Sequence, residues 1–269
     1  MPRLAKCPLL ALRLTPYILF LLFGTCSIQA FVTCSQKSTS TFILAMSTNS
    51  NENESLPRID GSEVVGSTKW LRLETLTYTD IENKQRKWDY ATRTTKKSKD
   101  SADAVVIIPI LKRPYAKDDE TKDSVLDTLL VEQFRPPIGK ATMEFPAGLI
   151  DENETPQQAA LRGLREETGY VGEACTIPPV VSPLVCMSPG ICDETVQCVV
   201  VIVDLDNPYN DPNGALFEAT PDEGEHIKVH RVSLKDGFQT LLDQCSSPMA
   251  IQGLYLFAMG LEIGKSINK

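Results

Sequence analysis

The sequence predicts an α/β domain built in layers. Three observations lead to this prediction. Apolar residues make up 42% of the 269 residues, which is enough for a packed core. Short apolar segments bounded by turn residues recur from residue 70 to residue 233, as they do in strands. Between them, residues 155–168 have the apolar spacing of a helix.

The predicted strands lie on both sides of this helix. Residues 104–111 (AVVIIPIL) are apolar throughout and predict a buried strand. Asn83 supplies a turn between the first two strands. The predicted strands are 70–76, 86–95, 104–111, 128–134, 142–145, 180–187, 196–205 and 226–233. Residues 235–244 and 249–260 predict closing helices.

The helix at residues 155–168 has recognisable end signals. Thr155 is a good N-cap, Pro156 suits the first helical position, and Gln158 completes a capping box. Gly169 stands where a C-terminal cap is expected. Together these signals set the predicted bounds of the helix.

The first 46 residues predict a leader in two parts. Residues 1–30 combine a basic start, an apolar run too short to span a membrane and small residues before Ala30, the pattern of a signal peptide. Residues 31–46 are rich in serine and threonine and resemble a transit peptide. The whole leader resembles the presequences of algae with secondary plastids, which predicts a plastid location. Plain secretion and a cytosolic form starting at Met46 are the alternatives.

The rest of the chain divides into three predicted parts. Residues 47–64 are polar and predict a disordered linker. Residues 65–100 are expected to form a small N-terminal β region. Residues 101–265 are expected to form the main domain.

The charge of the chain is distributed unevenly. It has 27 basic and 35 acidic residues, and the first 46 residues hold four of the basic ones and no acidic one. The remainder therefore has 23 basic and 35 acidic residues. The excess of acidic residues after residue 46 argues against nucleic-acid binding, because nucleic-acid phosphates bind to basic surfaces. We expect no nucleic-acid partner and no stable association with a membrane.

The segment with the clearest candidate catalytic residues is GLIDENETPQQAALRGLREETGY, residues 148–170. It resembles the Nudix box, in which a glycine, a glutamate and an Arg-Glu-Glu cluster recur at fixed spacing along a loop and a helix. An ordinary charged helix face is a poor alternative, because both glycines of the box fit as well. The resemblance implies a Nudix α/β/α sandwich with a mixed sheet. The positions that fit are Gly148, Glu154, Arg162, Leu164, Glu166, Glu167, Gly169 and Tyr170.

One position departs from the box, because Gly163 stands where the glutamate after the arginine is expected. A helix places residues four apart on one face, so positions 163 and 167 would offer paired carboxylates. With Gly163, only Glu167 of that pair remains. A glycine inside a helix also costs about 1 kcal/mol relative to alanine.

The box implies a divalent metal ion. Hydrolysis of a diphosphate requires attack on a phosphorus atom shielded by anionic oxygens, and Mg²⁺ neutralises those oxygens and acidifies the attacking water. Mg²⁺ prefers carboxylate and carbonyl oxygens and retains several waters. The resemblance implies Glu166, Glu167 and the backbone carbonyl of Ala147 as its ligands, with Mn²⁺ as the alternative metal. Both glutamates are thereby also candidate catalytic residues.

The resemblance extends beyond the box to the ADP-ribose and ADP-sugar pyrophosphatase branch of the family. The segments VEQFRPP (131–137) and EFPAG (144–148) resemble the stretches before the box in that branch. The segment SPG (188–190), with Glu194 close behind, resembles its loop after the box. The likeness therefore covers nearly all of the chain after the linker.

That branch implies roles for five further residues. Trp70 and Trp88 fall where it stacks adenine, one tryptophan from each subunit of a homodimer. Arg93 and Arg135 fall where its arginines hold the substrate phosphates, for which a guanidinium is suited. Glu225 falls in the late acidic loop proposed to supply the catalytic base. Without the resemblance, the tryptophans would be assigned to a core or interface, and the charged residues to an ordinary surface.

The predicted function is Mg²⁺-dependent hydrolysis of ADP-ribose, or of a related ADP-sugar, to AMP and the sugar phosphate. Gly163 leaves three interpretations open. The retained substrate positions favour a working site with weakened metal affinity. The second interpretation is a catalytically impaired ADP-ribose-binding protein, and the third is a substitution without meaning. A hydrolase for oxidised nucleoside diphosphates is a further alternative, because two tryptophans can stack other purines.

Overall fold

The computed structural model describes residues 56–112, 126–175, 181–221, 224–235, 238, 242–243 and 248–267. These residues form two sheets. The smaller one has the order β1-β2-β3, and both of its strand pairs are antiparallel. Its strands are β1 (Arg58–Ser67), β2 (Leu71–Thr79) and β3 (Gln85–Arg93).

The larger sheet contains nine strands of the described residues. They are β4 (Ala104–Lys112), β5 (Asp127–Arg135), β6 (Lys140–Glu144), β7 (Ala147–Leu149), β8 (Glu173–Ala174), β9 (Val185–Cys186), β10 (Thr195–Asp204), β11 (Lys228–Ser233) and β12 (Met249–Ala250). The central order is β12-β6-β5-β4-β10-β8, with β11 beside β5, β7 beside β4, and β9 beside β10. β10 runs parallel to β4, and β12 runs parallel to β6, whereas the other pairs are antiparallel. The sheet is therefore mixed, as predicted.

In the described residues, the helices α1 (Pro156–Thr168) and α2 (Gln252–Ile267) pack on opposite faces of the larger sheet. Successive side chains of a strand point to opposite faces. In β4, Ile107 belongs to the buried cluster that includes α1, whereas Ile108 packs against the cluster that includes α2. The predicted α/β/α sandwich with a small N-terminal β region is confirmed.

Helix α1 begins and ends as its sequence predicts. The Thr155 hydroxyl accepts a hydrogen bond from the Gln158 N–H at 3.3 Å, and the Gln158 side chain accepts one from the Thr155 N–H at 2.9 Å. At the other end, Gly169 has a φ of 78° and donates its N–H to the carbonyl of Arg165. A Cβ at Gly169 would lie 2.8 Å from the ring of Phe217. Backbone conformation and packing therefore both require glycine there.

Strand β1 includes residues that were predicted to belong to the linker. The linker prediction is wrong for residues 58–64, because they pair with β2 along most of their length. Every residue of β1 is exposed, so the strand has no buried face that would give it an apolar alternation. Backbone pairing, rather than burial of side chains, holds these residues in place.

Two other predicted elements differ from the structure, and a third cannot be compared along most of its length. The strand predicted at 180–187 is reduced, within the described residues, to Val185–Cys186 and a bridge between Val181 and Val199. The helix predicted at 249–260 begins only at Gln252, because Met249–Ala250 pairs with β6 instead. The helix predicted at 235–244 lies largely outside the described residues.

The other predicted strands are confirmed with small shifts at their ends. The predicted leader, residues 1–46, lies outside the described residues, as do residues 47–55 of the predicted linker. None of the helices that the structure describes is both long enough and apolar enough to cross a membrane.

Gly169→Ala is expected to lower the free energy of unfolding by about 2 kcal/mol, because alanine is strained at this φ and would collide with Phe217. Gly260→Ala is the control, since Gly260 lies inside α2 with open space around its Cβ position. The control should raise the free energy of unfolding by up to about 1 kcal/mol. Urea denaturation measures both changes, and equal stability of the two variants would contradict the account of Gly169.

Candidate active site

The candidate site is built around the turn between β6 and β7. The N–H of Ile107 donates to the carbonyl of Pro146 at 2.8 Å, which anchors this turn on β4. Helix α1 lies against the turn, because a Cβ built on Gly163 would be 3.7 Å from the Cα of Gly148. The same Cβ would be 3.4 Å from the carbonyl oxygen of Ala147. Position 163 and a predicted metal ligand are therefore neighbours.

Glu167, one helical turn after position 163, reaches the same turn of the backbone. Its Oε2 accepts a hydrogen bond from the N–H of Ala147 at 3.1 Å. Burial raises the pKa of Glu167 to about 7. Repulsion from Glu225 and Glu144 acts in the same direction, whereas the Ala147 hydrogen bond and Arg135 oppose it. The structure thus brings four of the predicted site residues together: Ala147, Glu167, Arg135 and Glu225.

Arg135 is held by a carboxylate that was not predicted to have a role. Its Nε and Nη2 donate to the two oxygens of Glu144 at 2.8 and 2.7 Å, and the Thr142 hydroxyl donates to the same carboxylate. Burial raises the pKa of Glu144, but these hydrogen bonds outweigh burial and leave its pKa below the usual range. Glu144 is therefore ionised and fixes the guanidinium of Arg135.

Glu166 has a different partner from Glu167. Nη1 of Arg162 donates to Glu166 at 3.0 Å, while Nε and Nη2 donate to the two oxygens of Glu154 at 2.9 and 2.7 Å. Arg162 also keeps the pKa of Glu154 below its usual value. This cluster joins α1 to the loop before it. Of the two glutamates predicted to bind metal, the structure joins only Glu167 to the turn at Ala147.

Trp70 and Trp88 are both exposed, with 59% and 47% of their surfaces accessible. The register of the small sheet pairs Leu71 with Arg93 and Leu76 with Trp88. The two tryptophans are therefore about six positions apart along the ladder, or about 20 Å. Stacked rings lie far closer than that. One chain does not bring the two tryptophans together.

Arg93, at the end of β3, forms an ion pair with the loop before β10. Its Nε and Nη2 lie 2.7 and 2.6 Å from the same carboxylate oxygen of Glu194. The backbone of Ala91 bonds to the same loop, donating to Ile191 and accepting from Asp193. Between β3 and this loop is a cavity of about 310 Å³, whose lining includes Leu76, Trp88, Tyr90, Pro189 and Thr195.

Both the sequence and the fold match known proteins. The NUDIX domain matches residues 116–248. The chain is 39% identical to the ADP-sugar pyrophosphatase of Mus musculus over 213 residues, which are 78% of this chain and 89% of that protein. It is 39% identical to the ADP-ribose pyrophosphatase of Saccharomyces cerevisiae over 167 residues, which are 61% of this chain and 67% of that protein. The chain belongs to the Nudix family.

A solved structure supports the fold of this Nudix protein. The crystal structure of an ADP compounds hydrolase superposes with a TM-score of 0.52, covering 79% of this chain and 95% of that one. The sequence identity is 17%, so this likeness concerns the fold alone. The resemblance to the ADP-ribose and ADP-sugar pyrophosphatase branch, predicted from the box and its flanking segments, is confirmed by the relatives.

The oxygen donors at the Ala147 turn suit a divalent cation that retains water ligands. The carbonyl of Ala147 and the carboxylate of Glu167 are ligands of the kind that Mg²⁺ prefers. Three acidic side chains, those of Glu144, Glu167 and Glu225, interact electrostatically there, and a cation would relieve their repulsion. Across the described parts of the chain, no three His, Cys, Asp or Glu side chains form a ready metal-binding group.

The raised pKa of Glu167 predicts an effect of pH on stability. Its pKa of about 7 in the folded protein exceeds the ordinary value of 4.5, so stability present below pH 4.5 is lost as the pH rises through 7. Glutamine stays neutral. In metal-free protein, Glu167→Gln should therefore raise the melting temperature by a few degrees at about pH 8 and change it little at about pH 5.

Thermal unfolding in the presence of a chelator measures this effect. Glu154→Gln is a control of opposite sign, because Arg162 lowers the pKa of Glu154 and the charged form is the favoured one. That variant should melt at a lower temperature than the natural protein at about pH 8. A Glu167→Gln variant that gains no stability at this pH would contradict the burial argument.

Proposed function

We propose that this Nudix protein is a metal-dependent hydrolase that converts ADP-ribose, or a related ADP-sugar, to AMP and the sugar phosphate. The observation that carries the proposal is that Glu167, which accepts a hydrogen bond from the N–H of Ala147, interacts electrostatically with both Glu225 and Arg135. The relatives named ADP-sugar pyrophosphatase and ADP-ribose pyrophosphatase support the same class of substrate.

The two arginines are assigned to the diphosphate. Each uses its Nε and Nη2 on a carboxylate, Arg93 on Glu194 and Arg135 on Glu144. A guanidinium has five N–H groups, so the Nη1 end of each remains for phosphate oxygens. The side chains of Arg93 and Arg135 are 35% and 45% exposed, which leaves them within reach of a ligand.

The acidic residues are assigned to the metal and to the proton transfer. Ala147 and Glu167 would hold Mg²⁺, or Mn²⁺ as the alternative, with Glu166 as a further predicted ligand. The ion supplies neutralisation of the phosphate oxygens and an acidified water when bound. Glu225 interacts electrostatically with both Glu167 and Arg135. This position supports its assignment as the base that takes the proton of the attacking water.

A homodimer formed through the N-terminal sheet is part of the proposal. β1 is exposed along its whole length, and Ile59, Val64 and Val65 are each more than half accessible. An apolar surface of this kind is typical of a binding interface. The separation of Trp70 from Trp88 also favours a dimer, because a second chain could bring its own tryptophan to the base.

Gly163 favours a second candidate function, that of an ADP-ribose-binding protein with impaired hydrolysis. Position 163, whose Cβ would lie 3.4 Å from the Ala147 carbonyl oxygen, has no carboxylate, so the metal would be held less tightly. The residues assigned to adenine and phosphates do not depend on Gly163. Binding without turnover is therefore the outcome that distinguishes this candidate.

The deciding experiment is Mg²⁺-dependent release of AMP from ADP-ribose by the natural protein and by Gly163→Glu. The substitution needs a shift of only a few tenths of an ångström, because the closest contact of its Cβ would be the terminal methyl of the buried Ile107 side chain at 3.3 Å. We expect the natural protein to turn over and the variant to need about tenfold less Mg²⁺. Gly260→Glu is the control, since it adds the same charge on α2 at an open position.

If only Gly163→Glu releases AMP while both proteins bind ADP-ribose in calorimetry, the natural protein is a binding module. If neither protein binds ADP-ribose or releases AMP, the proposed substrate class is wrong. A control variant that gains as much as Gly163→Glu would show that added charge, and not a metal ligand at position 163, causes the effect.

The shared adenine site predicts complementation between subunits. Trp70→Ala and Trp88→Ala should each weaken ADP-ribose binding at both sites of a homodimer. Co-expressed together, they form some mixed dimers in which one site has both tryptophans, so about a quarter of all sites should be intact. Steady-state kinetics on the co-expressed protein measures the recovery, and each variant expressed alone is the control. A monomer in solution, or no recovery, would contradict the shared site.

A further inference from the structure

The contact between Glu194 and Arg93 uses one edge of the guanidinium only. Nε and Nη2 both reach Oε1 of Glu194, at 2.7 and 2.6 Å. Among the described residues, the Nη1 group donates no hydrogen bond. Because a guanidinium is planar and rigid, hydrogen bonds along one edge also fix the direction of its opposite end. Glu194 therefore determines where the remaining N–H groups of Arg93 point.

This ion pair lies at the end of the larger sheet where the loop between β7 and α1, residues 150–155 and here called the Nudix loop, begins. Thr195, next to Glu194, accepts a hydrogen bond from the N–H of Asp103 at 2.8 Å. The carbonyl of Asp103 in turn accepts from the N–H of Ile150 at 3.2 Å. Neighbouring strands are about 5 Å apart, so Thr195 is roughly 10 Å from the first residues of the loop. Arg93 is therefore held at the same end of the larger sheet as the Nudix loop.

A second arginine of the site is held along the same edge of its guanidinium, in this case by both oxygens of a carboxylate. Glu144 grips the Nε and Nη2 edge of Arg135, and Glu144 is itself buried. The repetition indicates that the carboxylates order the arginines rather than merely neutralise them. A free arginine side chain loses several rotatable bonds when it binds an anion, and an arginine that is already ordered avoids that cost.

We infer that Glu194 is a positioning residue that holds Arg93 with its Nη1 end directed to the diphosphate of the substrate. The inference rests on the proposed function, because that function assigns Arg93 to the phosphates. The inference predicts the direction in which removal of the Glu194 carboxylate changes substrate affinity. A carboxylate that only stood near the substrate would repel the diphosphate, and its removal would strengthen binding. A carboxylate that orders Arg93 strengthens binding, and its removal weakens it.

The test compares Glu194→Gln, Arg93→Ala and the double variant of the full chain in ADP-ribose hydrolysis. We expect Glu194→Gln to raise KM about tenfold and to change kcat less than about threefold, since one ordered charge-assisted contact is lost before chemistry begins. In the Arg93→Ala background, Glu194→Gln should have no further effect. Asp127→Asn is the control, because Asp127 forms an ion pair of similar length with Arg231, between β5 and β11.

A Glu194→Gln variant with lower KM, or with the same loss in the Arg93→Ala background, would overturn the inference. Calorimetric titration with inorganic pyrophosphate repeats the comparison without the nucleoside. If the natural protein neither hydrolyses nor binds ADP-ribose, the proposed function fails, and the pyrophosphate affinities still decide the role of Glu194. Equal pyrophosphate affinity of the natural protein and Glu194→Gln would then overturn the inference by itself.

Discussion

The close contact of α1 with the turn at Ala147 determines the arrangement of the site. The helix backbone lies so close to the turn that a Cβ on Gly163 or on Gly148 would contact the facing backbone at 3.4 to 3.8 Å. This approach brings Glu167, one turn further along the helix, within hydrogen-bonding distance of the Ala147 N–H. Packing and ligand geometry thus depend on the same contact. A side chain added at position 163 would enter the space between the helix and the Ala147 carbonyl.

The elements that were predicted well are those whose signals are local. Thr155, Gln158 and Gly169 lie within the helix they define, so α1 could be bounded from the sequence alone. Strand β1 could not be predicted, because its pairing with β2 involves backbone groups that every sequence has, and its side chains are exposed. The short strand Met249–Ala250 depends on a parallel pairing with β6, about a hundred residues earlier in the chain.

The distinction between local signals and long-range pairing also applies to the residues of the site. The resemblance to the Nudix box implied that Glu167 and Ala147 lie close together, and such a likeness is readable because a helix and the loop before it are close in sequence. The partner of Arg135 was missed, because Glu144 reaches it only through the antiparallel pairing of β5 with β6. Its sequence signal was weak: an acidic residue ending a short strand. The separation of Trp70 from Trp88 likewise follows from the register of β2 with β3, which residue types alone do not specify.

The charges around the site explain why a cation belongs to the proposed reaction. Two arginines, Arg93 and Arg135, are each already paired with a carboxylate, so neither brings an uncompensated positive charge to the diphosphate. Glu167 and Glu225 add further negative charge, and their mutual repulsion contributes to the raised pKa of Glu167. A diphosphate entering such a site would be repelled without a metal ion. In the proposed reaction, the absence of a carboxylate at position 163 would weaken the hold on the metal but would also reduce the repulsion of the substrate. Its effect on turnover therefore depends on whether metal binding or substrate binding limits the reaction.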